Sequence, residues 1–492
     1  EAVVGTSFEE RHINSNSVTG QQFPSDAFKY ITSAGLINSG SSGSTGSTLL
    51  SYFARANYAF ASKYLLTLSG RIDGSSKFGV NNRYGFFPAA SVGWVVTDEA
   101  FLRDQKVLSL LKPRISYGKT GNQGFGDFIS RSLYSGGAYA GGPTIHANQT
   151  LGNPDLKWES TTQADAGLEF GFLDNRITGE VDVYQKKTTG LVLSVNTPGV
   201  TGFTNQFRNV GSLENKGVEF TLTTRNAVGA FNWTTTFNAA TNQNKITNLD
   251  KQILNGGFVN RAVEGQPIGV FYTVEYAGVD RANGDALYWK NTTNDDGSSG
   301  IIDHTKGTTS DYNQANRVVV GNPNPRWTGG VTNTLAYKGL ELNFTFQGVF
   351  GNKVFNGGGS YQSANASNGF DNQTTDQLAR WQKPGDITNV PQARLFEANG
   401  TANSTRYLSN GDYVRLKTAT LSYTLPANVV SKAMLDRVRL FVTGVNLLTF
   451  TKYQGWDPEV NADYQASNIG QGNDFYSAPQ ARTYTVGVNV GF

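Results

Sequence analysis

The sequence predicts an all-β chain, a transmembrane antiparallel β-barrel wall, and three observations carry that prediction. From 481 to 492 apolar and small or polar residues alternate: Tyr484, Val486, Val488, Val490 and Phe492 fall on one side of an extended strand, and Thr485, Gly487, Asn489 and Gly491 on the other. The same period-two pattern recurs in pairs along the chain, and short turns alternate with long connections. A strand patterned in this way and ending on an aromatic reads as a barrel's closing strand, which gives Phe492 a role in barrel assembly.

The elements follow in order. A first strand is expected over 2–9, followed by a long connection over 10–49. Within that connection the Gly/Ser/Thr run at 39–48 reads as a mobile loop segment. Tyr52, Ala54, Ala56, Tyr58 and Phe60 alternate with Phe53, Arg55 and Asn57, and after a turn at 61–63 Tyr64, Leu66, Leu68 and Ile72 alternate with Thr67, Ser69, Arg71 and Asp73. A second hairpin sets Ala164, Ala166, Leu168 and Phe170 before the turn at 173–176 and Ile177, Val181 and Val183 after it. A third joins Val218, Phe220 and Leu222 to Phe231, Trp233 and Phe237 across 226–230. A fourth joins Val331, Leu335 and Tyr337 to Leu340, Leu342, Phe344 and Phe346 across Lys338 and Gly339. Apolar faces would meet lipid and polar faces the lumen, which places Arg55, Arg71, Asp73, Arg114, Asp165, Glu169, Glu180 and Asp182 inside, each with a structural partner on a neighbouring strand or a plug.

If the last strand runs toward the periplasm, every short turn is periplasmic. The connections 10–49, 74–85, 121–160, 187–216, 241–326, 351–410 and 447–482 then lie outside the cell. Most exceed the roughly 4–6 residues usual in compact domains, and short inner turns with long outer loops are the asymmetry of these barrels.

Composition agrees. The chain has 57 Gly, 30 Phe, 22 Tyr and 7 Trp, the small and aromatic residues expected of closely passing strands with rings at two interfaces. Fourteen Pro exclude a proline-rich stalk, and a net charge of +3 without a basic run argues against nucleic acid. The absence of Cys removes disulfides, thiolate metal sites and cysteine nucleophiles together. No stretch approaches the ~20 apolar residues of a spanning helix, but barrel strands escape such scans because alternate residues face the lumen.

The pattern gives about 14 strands, against about 22 in large plugged transporters. An open sheet of that size would leave two unpaired edges in hydrocarbon, so residues 1–492 are expected to be the C-terminal portion of one outer-membrane barrel domain, with plug and N-terminal strands supplied elsewhere. The chain opens at Glu1, which suggests that processing or truncation removed an earlier portion.

A set of short runs resembles the SusC-like branch of TonB-dependent outer-membrane transporters. These are RIDGSSKF at 71–78, FPAASVGW at 87–94, KPRISYGKTG at 112–121, NPDLKWE at 153–159 and NKGVEF at 215–220. They continue with EGQPIG at 264–269, GNPNPR at 321–326, RWQKPGD at 380–386, GWDPE at 455–459 and PQARTY at 479–484. They span nearly the whole chain in family order. The resemblance implies a roughly 22-stranded plugged barrel, a periplasmic TonB box coupling the plug to the inner-membrane TonB complex, and a SusD-like surface lipoprotein closing over the outer mouth. It also implies active import of oligosaccharides or peptides. No residue of the chain matches the plug or the TonB box.

Candidate chemistry is sparse. His12, His146 and His304 are the only histidines, all in expected outer loops. Asp303 beside His304 is the nearest approach to an acid–base pair but has no third positioned group, so no catalytic residue is assigned. Asp280, Asp285, Asp295, Asp296 and Asp303 raise a calcium loop. Asn294, Asp296, Gly297 and Asp303 partly match EF-hand offsets, but Thr292, Ser299 and Asp303 stand where a ligand, an apolar residue and a bidentate Glu are wanted, so no metal or cofactor is assigned. Loop aromatics are the better clue to ligand: Tyr288, Trp289, Tyr361 and Tyr464, with Asn291, Asn365 and Asn368 as polar neighbours, suit stacking on sugars or gripping a peptide backbone. Trp381, inside one of the family runs, reads as loop architecture. A passive porin or adhesin would share the strands without a plug, and an outer-membrane hydrolase would need an acid–base constellation at the rim.

Overall fold

The computed structural model describes residues 1–102, 105–147, 150–250, 252–293, 300–365, 367, 369, 372–459, 461–462 and 469–492. Fourteen strands form one sheet in chain order: β1 Ala2–Gln21, β2 Leu36–Phe60, β3 Tyr64–Ser75, β4 Tyr84–Trp94, β5 Leu108–Asn122, β6 Glu159–Phe172 and β7 Ile177–Thr189. These are followed by β8 Ser212–Ala227, β9 Phe231–Asn248, β10 Trp327–Tyr337, β11 Leu340–Phe350, β12 Tyr413–Thr424, β13 Arg437–Thr451 and β14 Thr483–Gly491. Because each strand neighbours its successor, the connections fall alternately at the two ends. The longest connections, 123–158, 190–211, 249–326, 351–412 and 452–482, alternate with shorter ones along the chain.

The four expected hairpins are present. Tyr337 opposes Leu340 across Lys338 (φ 46°) and Gly339 (φ 87°), a two-residue turn with both central residues at positive φ, whose backbone twist matches the right-handed twist of the strands it joins. The Phe60–Tyr64 pair closes over Ala61 and Ser62, also at positive φ.

The first connection differs from expectation. Instead of a loop over 10–49, β1 and β2 continue as a long hairpin in which Glu10 opposes Thr48, Val18 opposes Gly40 and Gln21 opposes Leu36. The Gly/Ser run at 39–48 is strand, not a mobile segment. Its backbone groups are satisfied by the ladder, which needs no apolar side chain, so the missing hydrophobic pattern concealed it.

By internal packing the chain divides into two units. One comprises Glu1–Gly93, Ile115–Ala164 and Lys186–Ser212; the other comprises Trp94–Arg114, Asp165–Gln185 and Leu213–Phe492. In the first, Phe78, Phe87, Leu156, Trp158 and Val192 form a buried cluster. Phe78 and Trp158 lie 4.6 Å apart between ring centroids, and the Trp158 indole donates to the Arg83 carbonyl at 2.8 Å. The Glu159 carboxylate accepts from the Asn122 amide (2.8 Å) and the Val192 N–H (2.7 Å). Gly79 is required there, because a Cβ would overlap the Pro154 carbonyl. In the second unit, Val259, Phe271, Phe355 and Tyr407 form one cluster and Val274, Ala286, Tyr288 and Ala315 another. All three clusters draw mainly on the long loops. Along the strands, by contrast, large apolar residues such as Tyr52, Trp233, Leu342, Val442 and Val486 are exposed. No helix among the described residues is long and apolar enough to cross a membrane.

Candidate functional site in the long loops

Of three loops of the second unit, 351–412 and 452–482 are joined by short strands and 249–326 is tied to them by hydrogen bonds. Lys353–Asn356 runs antiparallel to Leu408–Asn410 and parallel to Asn473–Asp474. Buried Asn260 locks the arrangement: its amide donates to the carbonyls of Gly269 (2.9 Å) and Gln471 (2.8 Å), and its oxygen accepts from the Asn473 amide at 2.7 Å. A fully satisfied buried amide of this kind fixes one arrangement of loops that have no repeating pattern of their own.

On this base four rings converge. Phe475 lies 5.4 Å from Phe258, 6.2 Å from Tyr361 and 4.9 Å from Tyr476, centroid to centroid, at inclined or edge-on angles. Each of the four keeps between 38% and 53% of its surface exposed. Four large, partly wet rings from three loops form a platform of the kind that binds flat or extended ligands.

The segment carrying Tyr361 also borders a cavity of about 920 Å³, whose lining includes Tyr276, Asn356, Gln362, Asp376, Arg406 and Tyr453. Its polar groups are held firmly. The Arg406 guanidinium donates to the Gly400 carbonyl (2.8 Å), Ser363 Oγ (2.9 Å) and Asn365 Oδ1 (3.2 Å), and Ser363 donates to Asp376 at 2.5 Å. The Tyr276 hydroxyl donates to the Asn389 carbonyl at 2.9 Å and the Tyr453 hydroxyl to Asp474 at 2.7 Å. Burial pushes the phenols of Tyr276 and Tyr453 well up and that of Tyr407 to about 12, so all three stay neutral at any physiological pH. Such a recess can stack and hydrogen-bond a ligand.

The sequence-derived candidates fall in different places. Tyr361 joins the platform. Tyr288 does not: it is 3% exposed, packed edge-on against Tyr276 and Tyr312. In the strand Ala286–Trp289 burial alternates, so Tyr288 points inward while Trp289 faces out and stacks on His304 at 4.1 Å. Tyr464 and Asn368 lie outside the described residues. Trp381 is buried and its indole donates to the Arg281 carbonyl, a loop-pinning role.

Asp303 and His304 do not pair. The Asp303 carboxylate, held below its ordinary value chiefly by the Thr305 and Thr292 hydroxyls, accepts from both, whereas His304 Nε2 lies 3.2 Å from Glu275. Of the calcium candidates, Asp280 accepts from the Ala282 N–H and Asp285 pairs with Arg394 at 2.5 Å; Asn294, Asp295, Asp296, Gly297 and Ser299 lie outside the described residues.

Several of the charged strand residues meet a partner on a neighbouring strand, whereas Arg55 bonds to Asn57 of its own strand and Arg71 both to Asp73 of its own strand and to Ser51 of the adjacent one. Arg114 bridges Asp165 (3.1 Å), Asp182 (2.6 Å) and Glu180, Lys112 pairs with Glu169 at 2.9 Å, and Arg71 pairs with Asp73 at 2.5 Å. Sequence reasoning missed Phe258, Phe475, Tyr476, Tyr453 and Arg406. They lie in three loops, Phe258 in 249–326, Arg406 in 351–412 and Tyr453, Phe475 and Tyr476 in 452–482, and no spacing signals that they converge.

Comparison with known proteins gives a consistent picture. The family described as TonB dependent receptor-like, beta-barrel matches residues 3–303. TonB-dependent receptor P3 of Formosa agariphila is 36% identical over 462 residues, covering 90% of this chain and 45% of the relative. TonB-dependent receptor SusC of Bacteroides thetaiotaomicron is 31% identical over 475 residues, covering 91% and 44%. The structure of the RagAB peptide transporter superposes with a TM-score of 0.86 at 27% identity, over 100% of this chain and 53% of that one. The chain thus spans about half the length of the relatives it matches.

Proposed function

Because this chain belongs to the TonB-dependent receptor β-barrel family, on its SusC-like side, we propose that it supplies wall and ligand-capturing loops to an outer-membrane importer. On this reading the exposed apolar strand faces meet lipid, the short turns lie in the periplasm and the long loops face the medium. β1 and β14 stand at the two ends of the sheet order, and edges in hydrocarbon require partners, so further strands close the wall. A plug and TonB supply the energy coupling, a SusD-like lipoprotein covers the mouth, and the cargo is an oligosaccharide or peptide fragment.

The observation that supports capture by the loops is the ring platform around Phe475. Transport requires no bond chemistry of this chain, only loops that hold a ligand until the passage opens. The test is uptake of fluorescent oligosaccharide and peptide pools by cells carrying the whole transporter and its lipoprotein, with and without TonB. Uptake that needs TonB, and that falls about ten-fold in Phe475→Ala, corresponding to the loss of about 1.4 kcal/mol of ligand contact, is expected. Uptake unaffected by removal of TonB would establish a passive porin instead.

A further inference from the structure

The polar face of β8 to β14 is built largely of side chains that satisfy one another. Thr234 opposes Thr334, which opposes Asn343, then Thr420, Thr443 and Thr485, one neutral row across six strands. Asn343 donates to Thr334 at 2.8 Å, Thr420 and Thr443 share a hydrogen bond of 2.9 Å, and Thr332 and Thr345 share another of 2.9 Å.

Toward the long-loop end this pattern breaks. Two residues from Thr332, the same face of β10 carries Gly330, opposed by Asn238 on one side and Gln347 on the other. A Cβ at Gly330 would sit 3.2 Å from the Phe346 carbonyl and 3.4 Å from Asn238 Oδ1, so glycine keeps a niche open. The niche measures about 440 Å³ and is lined among others by Glu219, Asn238, Thr328, Thr345, Gln347 and Lys417. Among the described residues the side chains of Glu219, Asn238 and Gln347 make no hydrogen bond or ion pair to the protein. Lys417 is paired with Glu459 at 3.1 Å, which leaves Glu219 as the uncompensated charge.

We propose that this niche is a ligand subsite on the wall of the passage, taking an uncharged or cationic solute with neighbouring hydroxyl or amide groups and turning away anionic ones. Two free amides each offer a donor and an acceptor, and a free carboxylate accepts from two hydroxyls at once, the complement of a diol or a peptide unit. The same carboxylate repels phosphate, sulfate or uronate groups. The assignment rests on the import reading above, in which this face lines the passage.

Residues 1–492 contain no cysteine, and once any cysteine elsewhere in the full transporter is replaced by serine a single introduced thiol reports on the niche alone. Asn238→Cys, with Gln347→Cys as a second reporter, is placed in the full transporter in isolated outer membranes and treated with a cationic and an anionic methanethiosulfonate reagent. The cationic reagent is expected to react roughly ten-fold faster, and Glu219→Gln to bring the two rates within about two-fold. Equal rates with Glu219 present overturn the charge selection. Thiols at both positions that react only after unfolding would show that protein covers the niche, which overturns the subsite. Protection by a mixture of neutral oligosaccharides assigns the site to sugars, protection by a Gly/Ser hexapeptide assigns it to peptides, and protection by neither overturns it. None of these measurements uses TonB, so they stand or fall separately from the uptake experiment.

Discussion

The strands and the long loops of this chain treat apolar side chains in opposite ways. On the strands Val486 is 78% exposed and Trp233, Leu342 and Val442 share its surroundings, while polar side chains on the other face bond to one another. In the loops the order reverses: Phe355 is fully buried with Phe271 and Tyr407, and charged residues such as Lys383 and Glu397 lie outside. One polypeptide is therefore written for two solvents. The loops fold by removing apolar surface from water, as a small soluble domain does, whereas the strands leave apolar surface outward, which is stable only against hydrocarbon.

The contrast can be broken from either side. The largest effect is expected from Phe355→Ala, which should destabilise the loop assembly by about 3–5 kcal/mol. Limited proteolysis should show loops 249–326 and 351–412 cut rapidly while the heat-resistant strand region on an electrophoretic gel is unchanged. If both regions fail together, the loops are not a separately stabilised layer.

Arg415→Met comes next. Arg415 in β12 is 1% exposed and pairs with Asp457 and, at 3.1 Å, with Glu459, tying loop 452–482 to the sheet. Removing one partner of a buried pair costs about 3–5 kcal/mol, and the double change Arg415→Met with Asp457→Leu should recover part of it. Thermal release of that loop, followed by a fluorophore on it, gives the measurement.

A lipid-side test is smaller. Val442→Arg on β13 should cost about 2–4 kcal/mol if that face lies in the bilayer core, whereas Leu395→Arg, in a loop and already exposed, should stay within about 0.5 kcal/mol. Equal costs in a detergent unfolding titration would remove the two-solvent reading.

The smallest effect concerns pH. Burial opposes ionisation of Asp457, yet the Arg415 guanidinium and the backbone N–H groups of Glu459 and Gln480 hold its carboxyl below the ordinary 3.8. A depressed carboxyl contributes its full stabilisation above the ordinary value and loses it as pH falls through the lowered one. Loop 452–482 should therefore stay docked from pH 7 down to about 5 and loosen only in stronger acid, whereas Asp457→Asn should loosen it at every pH.

How much was legible in the sequence follows the same division. Strands are written with a period of two, so the hairpins over 52–72, 164–183 and 331–346 could be read residue by residue. The Gly/Ser run at 39–48 could not, because a ladder of backbone hydrogen bonds leaves no apolar trace. In the loops Tyr361 was readable as an exposed ring, but its companions Phe258, Phe475 and Tyr476 arrive from segments more than 100 residues away, brought together by the strand pairing of Lys353–Asn356 with Asn473–Asp474 and by the Asn260 and Asn473 amides. Tyr288 was legible in principle, since Ala286 and Tyr288 alternate with Leu287 and Trp289 within a four-residue strand, too short a pattern to be decisive without its neighbours. Several residues of the family runs proved to be packing residues: Phe78, Trp158, Trp381 and Asp457 hold loops in place, whereas Glu219 of the run at 215–220 lines the niche in the wall.

The first hairpin has a further consequence. Its strands of 20 and 25 residues are about twice the roughly 9–11 needed to cross a bilayer, and the surplus carries Ser, Gly, Thr and Asn with exposed Glu10, Arg11 and His12. Such a ribbon can lose or gain residues in matched pairs without turning a side chain to the wrong face or disturbing any other strand. Its reach beyond the span needed to cross a bilayer is thus a free variable for evolution, adjustable by small in-frame deletions while the remaining strands are left as they were.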